Sequence, residues 1–108
     1  MKVYYITCKD EAEAERISRA LIEKRLVACC NMFPIKSLYR WKGDLAGEEE
    51  IVIIAKSSHD NYNEIEKEVK ALHSYEIPCI LLFDVKANKD FEEWVKGEIN
   101  EGRREVRA

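Results

Sequence analysis

Thiols and imidazoles are the side chains of this sequence best suited to chemistry. It holds four cysteines, Cys8, Cys29, Cys30 and Cys79, and two histidines, His59 and His73. None of the cysteines forms a C-x-x-C pair, and Cys29 and Cys30, as strand neighbours, should point to opposite faces. Cys8 and Cys30 read as small buried hydrophobes. His59 lies in Ser57-Ser58-His59-Asp60 and reads as a solvated loop residue. Cys29, His73 and Cys79 are the candidate metal ligands. A thiolate and an imidazole suit copper(I) or zinc better than magnesium or calcium. One of each cannot fill a four-coordinate site, so closure needs Cys79 or ligands from a second subunit. His73 also has a plainer reading, as a histidine stabilised at a helix C-terminus by the helix dipole.

A small-molecule site is the other option. Tyr39 and Trp41 alternate on one face of a strand, either as cross-strand packing or as an apolar wall for a ligand. Lys56 ends an apolar strand, either solvated or as an anchor for an anion. Glu48, Glu49 and Glu50 read as a solvated turn with weak attraction for cations. The chain has no P-loop, no G-x-G-x-x-G, no H-E-x-x-H and no G-x-S-x-G. Neither histidine has a local nucleophile partner. A non-enzymatic role is therefore expected.

The elements that must position these residues follow from hydrophobic periodicity. Val3 to Cys8 predicts a strand. Asp10, with Glu13 three residues on, predicts a helix start, and Ala14, Ile17, Ala20 and Leu21 continue the helix to about Lys24. A second strand runs from about Val27 to Trp41, and Pro34 predicts an edge position or a bulge within it. Lys42-Gly43-Asp44 marks a turn, and Glu48 to Lys56 forms the third strand, giving a long hairpin. Asp60 or Asn61 opens a second helix with the stripe Tyr62, Ile65, Val69 and Leu72. Ile80 to Val85 is the fourth strand. A third helix from Asp90 carries Phe91, Trp94, Val95 and Ile99 and stops near Gly102. The order is β-α-β-β-α-β plus a terminal helix, an α+β ferredoxin-like arrangement with an antiparallel sheet, in one domain spanning residues 1–108.

Both main helices of that arrangement cover one face of the sheet, so the other face should be polar. It is not. The strands are apolar on both sides, at Val3 and Tyr5 against Tyr4 and Ile6, and again from Ile51 to Ile54. Either the third helix or a sister copy must cover the second face. One helix is narrow for four strands, which favours a symmetric oligomer. The long hairpin would project beyond the body and could pair with a neighbour's edge.

The net charge of −3 points away from nucleic acid as a partner. The basic cluster Arg103, Arg104 and Arg107 is short and is interrupted by Glu105. No apolar run approaches the roughly 20 residues needed to span a membrane. The opening apolar run is too short for a signal-peptide core. Together with unpaired cysteines, these features predict a cytoplasmic protein without a disulfide framework.

Several segments, taken together, resemble a known family. Leu26-Val27-Ala28-Cys29-Cys30-Asn31 resembles the L-V-A-C-V-N segment of the CutA divalent-cation tolerance family. Ser37-Leu38-Tyr39-Arg40-Trp41-Lys42-Gly43 resembles its S-x-Y-x-W-x-G, and Lys56-Ser57 its K-T. His73-Ser74-Tyr75-Glu76-Ile77-Pro78 resembles H-P-Y-E-V-P, and Trp94 matches a tryptophan of the last helix. The resemblance implies a ferredoxin-like homotrimer similar to PII-like signalling proteins, and a role in tolerance of copper and other divalent metals. It implies metal or cleft roles for Cys29, Tyr39, Trp41, Lys56, His73 and Tyr75. Ser74 replaces the family's proline. Cys79 stands where an acidic residue usually follows, which exchanges a carboxylate for a soft thiol. Three readings compete on this basis. The first is a metal-binding tolerance protein with a copper-type site between subunits that folding does not require. The second is a PII-like sensor for a small anion. The third is a structural trimer that presents a surface to another protein.

Overall fold

The computed structural model describes the backbone of residues 1–107 and the side chains of residues 1–99. The elements are β1 (Lys2–Cys8), α1 (Glu11–Glu23), β2 (Cys29–Trp41), β3 (Asp44–Ser57), α2 (Tyr62–Leu72), β4 (Ile80–Asp84) and α3 (Lys89–Arg107). The strands form one antiparallel sheet in the order β2-β3-β1-β4. This is the expected α+β, ferredoxin-like arrangement with an added helix.

Local chemistry accounts for the element ends. Asp10 caps α1 by accepting the Glu13 N–H at 2.9 Å. At the other end Arg25 takes a positive φ of 56°, and the Leu26 N–H reaches back to the Leu21 carbonyl. That is a helix stop normally made by glycine. Asn61 sits at the start of α2 but does not cap it. Its side chain serves the Tyr4 hydroxyl and the Leu26 carbonyl instead, while Asp60 Oδ1 accepts the Tyr62 N–H.

Tyr4, Ile6 and Cys8 of β1 face the same way as Ile51, Ile53 and Ala55 of β3, because residues paired in register share a face. They pack with Ile17 and Leu21 of α1 and Ile65 and Val69 of α2 into one buried core. At about 25 cal/mol per Å², each fully buried aliphatic side chain stabilises by roughly 1.5–3 kcal/mol.

β2 and β3 pair without a break from Cys29↔Lys56 to Trp41↔Asp44. Pro34 therefore sits in a regular edge strand and makes no bulge. β3 begins at Asp44, four residues earlier than its apolar run suggests. Pairing with β2 imposes strand geometry on Asp44 to Gly47, which lack strand-forming residues. The expectation of a solvated turn at Glu48–Glu50 is thus corrected, since all three lie in β3, opposite Ser37, Lys36 and Ile35. The turn itself is Lys42-Gly43, with φ of 51° and 88°. Positive φ at both positions gives the two-residue turn whose twist matches the strands.

β1 pairs with β3 only as far as Cys8↔Ile51. Beyond Glu50 the hairpin is therefore a two-stranded ribbon, marginal in water without further support. The second face of the sheet is partly covered. α3 packs on β3, Val95 and Ile99 are buried, and Val52 is buried on that face. Arg25 helps to hold α3, donating to the Glu98 carbonyl at 2.5 Å. Contrary to the expected stop near Gly102, α3 continues to Arg107. Side chains of the basic tail, Arg103, Arg104 and Arg107, lie outside the described residues. The rest of the face stays open, with Phe33, Leu81 and Phe83 exposed there and Trp94 of α3 exposed as well.

Candidate functional site

A cavity of about 360 Å³ opens where the ribbon leaves the sheet. Tyr39 and Trp41 of β2 line it, with Glu48 and Glu50 of β3 and Thr7 near the end of β1. The loop between α2 and β4 completes it with Tyr75, Glu76, Ile77 and Cys79. Strand period explains the convergence. Tyr39 and Trp41 share a face with Glu48 and Glu50, because Ser37 pairs with Glu48 and Ile35 with Glu50.

Each phenol in the cavity holds a carboxylate. The Tyr39 hydroxyl donates to Glu48 Oε1 at 2.6 Å, and the Tyr75 hydroxyl donates to Glu50 Oε2 at 2.7 Å. Burial and then the Glu50 bond push the Tyr75 phenol well above its ordinary value. Glu50 is only 7% exposed. Among the described residues, Glu48, Glu50 and Glu76 have no lysine or arginine partner. The Cys79 thiol is raised, first by burial and then by Glu50. Among the described residues the cavity thus combines three carboxylates, two phenols and one thiol, with no cation.

His73 stands behind this wall with both ring nitrogens engaged. Nε2 donates to the Thr7 carbonyl at 2.7 Å, and Nδ1 accepts the Tyr75 N–H at 3.0 Å. That pattern fixes one neutral tautomer and leaves no lone pair for an ion. Cys8, Glu13 and His73 do place their donor atoms within 4.8 Å of one another. Yet Glu13 already accepts the Lys9 and Ser74 N–H groups at 3.0 and 2.9 Å. Burial, then Glu13 and Glu50, push the Cys8 thiol up to about 12, so it keeps its proton. Glu13 and His73 are thus engaged in hydrogen bonds, with the protonated Cys8 thiol buried beside them.

Of the expected metal trio, only Cys79 lies in the cavity. Cys29 pairs with Lys56, and Lys56 with Val3, five positions along β1 from Cys8. At about 3.3 Å per residue that is roughly 17 Å, too far for one ion to bridge within a chain. Of the expected cleft residues, Tyr39, Trp41 and Tyr75 converge, and Lys56 does not. Its ammonium donates to Asn31 Oδ1 and lies 5.9 Å from the Phe91 ring centre. It is six residues from Glu50, or roughly 20 Å along the strand.

Glu13 was expected only at the start of a helix, Glu48 and Glu50 only in a solvated turn, and Glu76 had no expected role, although two of the four carried a signal for burial. Glu13 falls four residues before Ile17, on the buried stripe of α1. Glu50 is in period-2 phase with Val52 and Ile54, on the second face.

The fold and cavity define a class: a ferredoxin-like sheet with an outgrown hairpin and an acidic, aromatic cleft at its root. Residues 2–98 match the family described as CutA1 divalent ion tolerance protein, and the chain belongs to that family. It is 42% identical over 92 residues to the divalent-cation tolerance protein CutA of Archaeoglobus fulgidus, covering 84% of this chain and 90% of that one. The corresponding protein of Thermus thermophilus is 33% identical over 97 residues, covering 88% and 94%. Among solved structures, the periplasmic divalent cation tolerance protein CutA of A. fulgidus superimposes with a TM-score of 0.88 at 40% identity, covering 92% of this chain and 99% of that one. The PII-like protein CutA of Nostoc sp. PCC 7120 gives 0.83 at 31% identity, covering 92% and 97%.

The periplasmic designation of the A. fulgidus relative overturns the cytoplasmic expectation, which rested on composition and the short opening apolar run. Free cysteines and a charged surface do not report a compartment. No helix among the described residues is long and apolar enough to cross a membrane.

Proposed function

We propose that this chain is a non-enzymatic divalent-cation tolerance protein that takes up cations at the acidic cleft, acting as a homotrimer. The carrying observation is the cleft's lining, which holds Glu48, Glu50 and Glu76 with no cation among its described residues. Uncompensated carboxylates at a partly desolvated site attract positive charge. Cys79 adds a soft donor, which favours copper or zinc over magnesium. Glu50 and Cys79 are the proposed ligands, with Tyr39, Trp41 and Tyr75 as walls. His73 supports the wall, and Cys29 enters the site only if a neighbouring copy delivers it.

Two features support self-association. The ribbon beyond Glu50 has one strand partner per strand, and Leu81 and Phe83 present apolar surface beside the open edge of β4. A sensor for anions finds less support, because the cleft is acidic and Lys56 lies elsewhere. The PII-like designation of the Nostoc relative speaks to kinship of fold.

Calorimetric titration with zinc and with cadmium tests the cleft. Cys79→Ser and Glu50→Gln should each weaken binding about tenfold or more, since losing even a residue that supports a metal ligand costs about 10–100-fold in affinity. Affinity in the intact protein should rise with pH, because an ion must displace the proton that the raised thiol retains. Unchanged affinity in both variants would remove the cleft from consideration.

A further inference from the structure

The wall that carries Tyr75, Glu76, Ile77 and Cys79 has no backbone ladder. Among the described residues, the last backbone bond before it is His73 N–H to the Val69 carbonyl, and residues 74–79 make none outside regular elements. Side chains hold this loop instead. Its Ser74 N–H goes to Glu13 Oε2, its Tyr75 N–H to His73 Nδ1, and its Tyr75 hydroxyl to Glu50.

Among the described residues, Glu13 supplies the hydrogen bond that ties the loop to α1. Its carboxylate is fully buried, an unusual place for a charge. Arg16 and His73 Nδ1 are 3.9 and 3.7 Å away, both beyond hydrogen-bond distance. A glutamate at this helix position ordinarily bonds back to the cap residue's own N–H. Here one oxygen takes the Lys9 N–H and the other crosses to Ser74. Burial pushes the carboxyl up, but the bonds from Ser74 and Lys9 outweigh it and hold the group below its ordinary range. The charged carboxylate is thus the form that the surroundings select.

We infer that Glu13 is a positioning residue for the cleft: its buried carboxylate holds the loop at Ser74 so that Tyr75 and Cys79 face Glu50. The cation-binding part of this inference rests on the function proposed above, and the loop-anchoring part stands without it. Glutamine at position 13 keeps the shape but turns one acceptor into a donor that faces an N–H. Loop order is lost before the fold is.

The test uses the intact protein with Glu13→Gln, and with Asn61→Ala as a control that breaks a buried network outside the cleft. Amide hydrogen exchange and zinc affinity are read together. In Glu13→Gln, Ser74 and Tyr75 should lose tenfold or more of their protection while β1 and β3 amides keep theirs, and zinc affinity should fall about tenfold. Asn61→Ala should lower the melting temperature without singling out the loop. Loop protection equal to wild type, or lost only in step with the sheet, overturns the inference. So does zinc binding unchanged in Glu13→Gln. If the wild type binds no zinc, the cleft reading fails, and the exchange result still decides whether Glu13 anchors the loop.

Discussion

Individual residues carry two separate jobs around the cleft. Glu50, Cys79 and the two phenols face the cavity, while the hydrogen-bonded Glu13 and His73 and the buried Cys8 form the layer behind it. Residue types alone could not separate these layers. A histidine and a thiol look alike as ligands until their hydrogen bonds are known, and His73 spends both nitrogens on backbone partners. The carboxylates were placed in solvent for the opposite reason. Three consecutive glutamates look solvated, and only the register of β3 shows that Glu50 turns inward.

The layer behind the cleft has a pH signature. The Cys8 thiol is raised to about 12 from an ordinary value near 9, so its folded form is neutral where the unfolded chain ionises. Its contribution to stability is therefore complete below the unfolded pKa and is lost as pH climbs from about 9 toward 12. Urea unfolding at pH 8 and pH 10.5 should show a smaller alkaline loss in Cys8→Ala than in the wild type. An equal loss in both would remove Cys8 from the account.

Among the elements, the helices and the apolar strands were legible because 3.6- and 2-residue periods survive in sequence. The stripe Ala14, Ile17 and Leu21 is the buried face of α1, and Ile65 and Val69 are that of α2. Two boundaries were not legible. β3 reaches back to Asp44 only because β2 offers it a partner, which is a long-range effect with no local sign. α3 runs past Gly102 because an isolated glycine weakens a helix by about 1 kcal/mol without ending it.

The hairpin turn offers a stability test of its own. Lys42 adopts a left-handed φ of 51°, which costs a lysine more than an asparagine. Lys42→Asn should raise stability by roughly 0.5–1 kcal/mol, a shift of several degrees in melting temperature for a chain of this size. Gly43→Ala at the neighbouring turn position should do the reverse, since its φ of 88° strains any side chain. Thermal melts by circular dichroism compare the two, and the opposite order would refute the strained-turn reading.

For the whole molecule, the two-faced apolar sheet told in sequence that more cover was needed, and the structure divides that need. α3 buries Val95 and Ile99 against the β3 side, while Leu81, Phe83 and the ribbon remain outward. The proposed homotrimer would serve both the exposed sheet edge and the unsupported ribbon. It would also seal the open side of the cleft, raising the strength of every charge interaction inside it.

Native mass spectrometry of the intact protein, with and without zinc, tests this account most directly. It predicts a trimer that gains zinc ions in multiples of three, with those ions lost when Glu50→Gln and Cys79→Ser are combined. A folded monomer at micromolar concentration, or a trimer whose zinc content ignores both substitutions, would contradict it.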